Sequence, residues 1–65
     1  MNIGLDFHDT ISYAPEFFKT LIKGWSEGKV YIVTGTPPSK LGEVVKSLEG
    51  LDIIKGIDYE DILYG

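Results

Sequence analysis

Cysteine and arginine are absent from this 65-residue chain, and histidine and tryptophan occur once each. Without cysteine there is no disulfide and no thiolate metal site, and a single histidine excludes a His-rich one. Without arginine there is no bidentate guanidinium clamp for phosphate. Positive charge is scarce: 6 lysines against 10 acidic residues give a formal net charge of -4, and the isoelectric point is about 4.6. Such a surface repels phosphate backbones, so a nucleic-acid partner held by a basic footprint is not expected. No apolar run approaches the ~18 residues that span a bilayer. No basic segment precedes an apolar stretch at the N-terminus, as a signal peptide would require. The expectation is a soluble, cytoplasmic protein with no membrane partner.

What is present is ordinary for a globular domain: 43% hydrophobic and 25% charged residues. The length allows one small domain, residues 1–65. A chain near this size hides only roughly 60% of its unfolded surface, so its core is thin.

The hydrophobic pattern alternates between two periods. Residues 2–7 read as a strand, with Ile3, Leu5 and Phe7 alternating and Gly4 allowing close approach of a neighbour. Residues 14–25 read as a helix, with Pro15 and Glu16 in the first turn and Phe17, Phe18, Leu21, Ile22 and Trp25 as a broad apolar stripe. Residues 29–34 are β-branched, aromatic and almost continuously apolar, which predicts a strand buried on both faces. Gly35 to Pro38 break it, and Thr36 is a candidate cap for the helix that follows. That helix carries Leu41, Val44, Val45, Leu48 and Leu51 on one face and ends near Gly50. Residues 52–55 fit either a strand or a helix exit, 56–60 a turn, and 61–64 a final strand. The order β-α-β-α-β predicts an α/β fold with a short parallel sheet, right-handed crossovers and exposed outer strands.

In open α/β sheets, ligands bind beyond the carboxyl ends of the strands. Here the first strand delivers Asp6, His8, Asp9 and Thr10, and the second delivers Thr34, Gly35 and Thr36. If the two strands are neighbours, Asp6 and Thr34 face one crevice. A carboxylate there can hold Mg²⁺ or attack phosphorus. A hydroxyl and free amides can hold phosphate oxygens, and His8 can exchange a proton near neutral pH. Plainer roles compete: Asp6 as a turn cap, His8 as a solvated loop residue, Thr34 as a strand former. Neither a dinucleotide fingerprint nor a P-loop is present. Asp58, Glu60 and Asp61 suit a divalent cation or, more plainly, a solvated acidic turn. Trp25 and the Phe pair read as core.

Two of these segments resemble a known family. Ile3-Gly4-Leu5-Asp6-Phe7-His8-Asp9-Thr10-Ile11 is similar to the first motif of the haloacid dehalogenase (HAD) superfamily, an apolar strand followed by Asp-x-Asp-x-Thr. Tyr31-Ile32-Val33-Thr34-Gly35 resembles the second, an apolar strand ending in Thr or Ser, and Asp61 to Gly65 resembles the third strand. One helix between the motifs fits a capless member, and the resemblance covers the N-terminal half of such a domain. It implies a three-layer Rossmann-like fold and a Mg²⁺-dependent phosphatase. Asp6 would be the nucleophile, forming an aspartyl-phosphate, and a Mg²⁺ ligand. Thr34 and Gly35 would bind the phosphoryl group, with Asp9 and Thr10 supporting the loop. The general acid/base position, whose backbone carbonyl also reaches Mg²⁺, is occupied by His8 instead of the usual Asp. The family's third-motif Lys and fourth-motif Asp have no counterpart: Lys40, Lys46 and Lys55 lie in other contexts.

Two functions follow. One is a HAD-like phosphohydrolase acting on a small phosphate ester or nucleotide, impaired in this short form. The alternative is a non-catalytic HAD-like module, truncated relative to the family, that self-associates or binds a partner through exposed sheet edges.

Overall fold

A computed structural model describes residues 1–64, the side chain of Asp9 excepted. Three strands, β1 (Ile3–Asp6), β2 (Val30–Thr34) and β3 (Asp61–Tyr64), form a parallel sheet in the order β1-β2-β3. Two helices connect them: α1 (Pro15–Gly24) between β1 and β2, and α2 (Leu41–Gly50) between β2 and β3. Element types and order follow the hydrophobic periods, and the regular elements lie close to the expected bounds.

The layers differ from the expectation. Ile22 of α1 and Val44 and Leu48 of α2 join Val30, Ile32 and Ile62 in one buried cluster. Both helices therefore pack on one face of the sheet, giving two layers and not three. Burial along β2 alternates: Val30, Ile32 and Thr34 are buried, whereas Val33 is 39% exposed. The continuous apolar run that predicted burial on both faces is a strand covered on one side. Val33 pairs with Asp6 and Leu63, and Tyr31 with Gly4 and Asp61, so these six residues share the face without helices. A Cβ at Gly4 would come within 3.1 Å of Val33 Cγ2, so the close neighbour is a side chain.

Local departures have physical causes. Phe7, expected as the last residue of the first strand, and the polar residues after it form a single π-helical turn, Phe7–Ile11, in which the Ser12 amide donates to the Phe7 carbonyl at 2.8 Å. This turn buries Phe7 and Ile11 at the end of β1. Phe17, assigned to the core stripe, is 64% exposed, because a helix packed on one flat sheet buries a narrower arc than the stripe occupies. Thr36 does not cap α2: a short 3₁₀ turn, Pro38–Lys40, precedes it, and the residue at the helix entry is Lys40. Residues 52–55 begin as the helix exit, one of the two expected alternatives: the Ile53 amide donates back to the Leu48 carbonyl at 2.9 Å, with Asp52 at φ 63° and Ile53 fully buried. Asp tolerates this left-handed backbone better than most residues. An isolated parallel bridge, Lys55 to Tyr59, closes the loop around Gly56, whose φ is +83°.

The amino-terminal end of the sheet is held by charge. Lys23 donates to both Asp58 oxygens at 3.2 Å, and Asp58 Oδ2 also accepts the Ile54 amide at 2.7 Å. Lys29 pairs with Glu60 at 3.6 Å and Lys55 with Asp61 at 3.3 Å. The segment read as a solvated acidic turn is thus a set of clamps, each acid paired with a lysine from another part of the chain. Trp25 Nε1 donates to the Met1 carbonyl at 3.1 Å, and the Lys29 amide donates to Asn2 Oδ1 at 2.9 Å, which fixes the first residues.

Candidate functional site

The carboxyl ends of β1 and β2 lie side by side. Asp6 closes β1 and pairs with Val33, one residue before Thr34. The alternation of a strand then sends them to opposite faces: Asp6 toward the helix-free face, Thr34 toward the core. Thr34 is 2% exposed. The single crevice expected for these two residues is therefore split between two faces.

What the structure does bring together is a chain of hydroxyls ending on the imidazole. Thr34 Oγ1 and Thr36 Oγ1 are 2.8 Å apart, and the Thr36 amide donates to Thr34 Oγ1 at 3.1 Å. Thr36 Oγ1 is also 2.8 Å from His8 Nε2. The chain runs from buried Thr34 through half-buried Thr36 to exposed His8. The π turn makes it possible, since it sets the residue after Phe7 beside the loop that follows β2. The His8 ring also meets the Phe7 ring edge to face, with centroids 5.1 Å apart, and the Ser12 hydroxyl donates to the His8 carbonyl.

The other expected residues fall out as follows. Among the described residues, the Asp6 carboxylate enters no hydrogen bond or ion pair, and it is half-buried. Gly35 is exposed, and the space a Cβ would occupy there is open. The Thr10 carbonyl accepts the Ala14 amide at 3.1 Å, which joins the π turn to α1. The supporting role expected of Asp9 concerns a side chain outside the described residues, as does any role of Gly65. Ser12 is the residue that sequence reasoning missed, and Thr36 was placed at the strand end without its partner His8. The Thr-Gly-Thr spacing was visible, but only the π turn reveals that its second hydroxyl meets His8.

Chemically, this end of the sheet offers an uncommitted carboxylate on one face and, around the strand ends, an imidazole–hydroxyl chain. The fold defines a small α/β domain with a three-stranded parallel sheet, consistent with a short Rossmann-like unit. No protein-family model matches the chain, and neither does any curated protein or solved structure. Among the described residues, no helix is long and apolar enough to cross a membrane.

Proposed function

We propose that this chain is a HAD-like phosphohydrolase domain acting on a small phosphate ester or nucleotide at the carboxyl end of its sheet, with Asp6 as nucleophile. The observation that carries the reading is the Asp6 carboxylate itself: last in β1, without a partner among the described residues, and two residues from His8. A carboxylate free of structural bonds is available to attack phosphorus. Asp6 would form a bond to phosphorus as the ester oxygen leaves, taking a proton from His8. Water would then cleave the aspartyl-phosphate, returning the carboxylate and inorganic phosphate. Phosphoryl oxygens would be received by the amides of the Gly35 loop, which buried Thr34 supports through its bonds to Thr36.

Mg²⁺ is the cofactor of this reading. The donor chemistry fits: Asp6 offers a hard carboxylate, and the His8 carbonyl keeps a second lone pair beside the bond it accepts from Ser12. The His8 imidazole is engaged with Thr36 and is not a ligand in this arrangement. Among the described residues, no three His, Cys, Asp or Glu side chains gather as a metal cage. The protein's share of the coordination is then Asp6 and the His8 carbonyl, with water and substrate oxygens completing it. The ion would supply positive charge to the phosphoryl oxygens.

The test is Mg²⁺-dependent release of phosphate from nucleotides and small phosphate esters by the wild type and Asp6→Asn. Release that disappears in the variant, with the fold unchanged by circular dichroism, is the expected result. Equal release by both proteins removes Asp6 from the reaction.

One observation favours the second reading. Val33 and Leu63, 39% and 50% exposed, lie together on the helix-free face of a sheet whose β1 and β3 are both edges. A non-catalytic module that self-associates or binds a partner through those edges would cover them. Sedimentation at micromolar concentration decides the self-associating form: dimers or larger species support it, and a clean monomer argues against it.

A further inference from the structure

We propose that Thr36 is a positioning residue: held from behind by buried Thr34, its hydroxyl donates to His8 Nε2 and fixes the imidazole as the Nδ1-protonated tautomer.

The protons along this chain of hydroxyls have one consistent placement. Among the described residues, both hydrogen bonds of Thr34 Oγ1 are with Thr36. One of them is settled, because the Thr36 amide can only donate. The other joins two hydroxyls, and burial decides its direction. Thr34 is 2% exposed, so its hydroxyl proton has no route to bulk water, and leaving a buried donor unpaired is costly. Its available acceptor is Thr36 Oγ1. Thr36 receives that proton and has one of its own to place. His8 Nε2 lies at 2.8 Å on its other side. Thr36 therefore donates to Nε2, which must carry a lone pair, and the ring proton of the neutral imidazole sits on Nδ1.

The consequence is orientation. His8 is exposed, and an exposed imidazole ordinarily turns freely about its two side-chain bonds. The bond from Thr36 and the edge-to-face contact with Phe7 hold one ring orientation, with the basic nitrogen at the strand ends. The tautomer follows from the geometry alone. Its use in proton transfer rests on the phosphohydrolase reading, in which the proton that His8 gives the leaving oxygen comes from Nδ1.

The experiment is a long-range ¹H–¹⁵N correlation spectrum of the His8 ring, recorded without ligand in mildly alkaline buffer, where imidazoles are neutral. Wild type, Thr36→Val and Thr36→Ser are compared. The expected wild-type spectrum has Nε2 alone at the downfield position of an unprotonated nitrogen. Thr36→Val removes the donor at nearly constant volume, and its two ring nitrogens move toward the averaged shifts of exchanging tautomers. Thr36→Ser keeps the hydroxyl and restores the wild-type pattern. A wild-type ring protonated on Nε2, or a Thr36→Val spectrum identical to wild type, overturns the proposal. Phosphate release by the same proteins separates the two claims: Thr36→Val is expected to release phosphate about tenfold more slowly, a part of the usual general acid–base contribution. A wild type with the Nδ1-protonated ring and no phosphate release supports the positioning role and contradicts the hydrolase reading.

Discussion

The two ends of the sheet are built from different chemistry. At the amino-terminal end, Lys23 of α1 and Lys29 of the lead-in to β2 clamp Asp58 and Glu60 around a hollow of about 200 Å³, and Lys55 of the loop before β3 pairs with Asp61. Each acid there has a partner. At the carboxyl end the side-chain hydrogen bonds run among Thr34, Thr36 and His8, and the Asp6 carboxylate has no partner among the described residues. Charges at one end hold loops in place, and at the other the Asp6 carboxylate is left uncommitted among the described residues. The comparison teaches that a charge cluster in a small acidic domain need not mark a site: the paired end stabilises, and the sparsely charged end is where chemistry is available.

The largest effect expected from breaking this comparison is at Asp58. Its side chain is 10% exposed, and it binds both Lys23 and the Ile54 amide. Asp58→Ala leaves the Ile54 amide without its acceptor and Lys23 with only Asp52, 3.7 Å away, and should lower stability by about 2 kcal/mol in urea unfolding. Unchanged stability would mean that the clamps are decorative.

Next comes Tyr59, whose ring is buried and whose hydroxyl has no partner among the described residues. Tyr59→Phe removes the unpaired polar atom, so denaturant unfolding should show a gain of about 1 kcal/mol. Burial raises the phenol above its ordinary value of 10.0, and the carboxylates of Glu49 and Asp61 add to the shift. A raised folded-state value means that the folded protein holds its proton more tightly than the unfolded chain. Stability is then full below about pH 10 and falls as pH rises toward the folded-state value. An unfolding series across that range should show the loss in wild type and a weaker one in Tyr59→Phe; identical slopes would contradict the assignment.

The smallest effect is expected at the most exposed clamp. Lys29 and Glu60 are both at least half exposed and 3.6 Å apart. Lys29→Met should cost less than about 0.5 kcal/mol, and added salt should narrow the difference. A larger cost would place Lys29 in the hollow's structural wall.

Much of the fold was legible because periodicity reports directly on packing. Ile3 and Leu5, Val30 and Ile32, and Val44 and Leu48 mark the covered faces, and the parallel order follows from the alternation of strands with helices. The number of layers was not legible. Val33 is as β-branched as Val30, and a sequence does not say which face lacks a cover. The site was half legible. Asp6, His8 and Thr34 could be placed at strand ends, but the one-residue offset between Asp6 and Thr34 is a property of register, and the His8–Thr36 bond depends on a π turn without a local signal. The same limit hid the clamps, since Lys23 and Asp58 meet only through the tertiary fold.

The most direct measurement of the central claim, that the carboxyl end of the sheet is the functional end, is an amide NMR titration with Mg²⁺ and beryllium fluoride, an aspartyl-phosphate mimic. The account predicts shifts confined to residues around Asp6, His8 and Thr34, absent in Asp6→Asn, with the Lys23, Asp58 and Glu60 signals unmoved. A dispersed spectrum that ignores both additions, or one whose changes gather at the amino-terminal clamps, would contradict it.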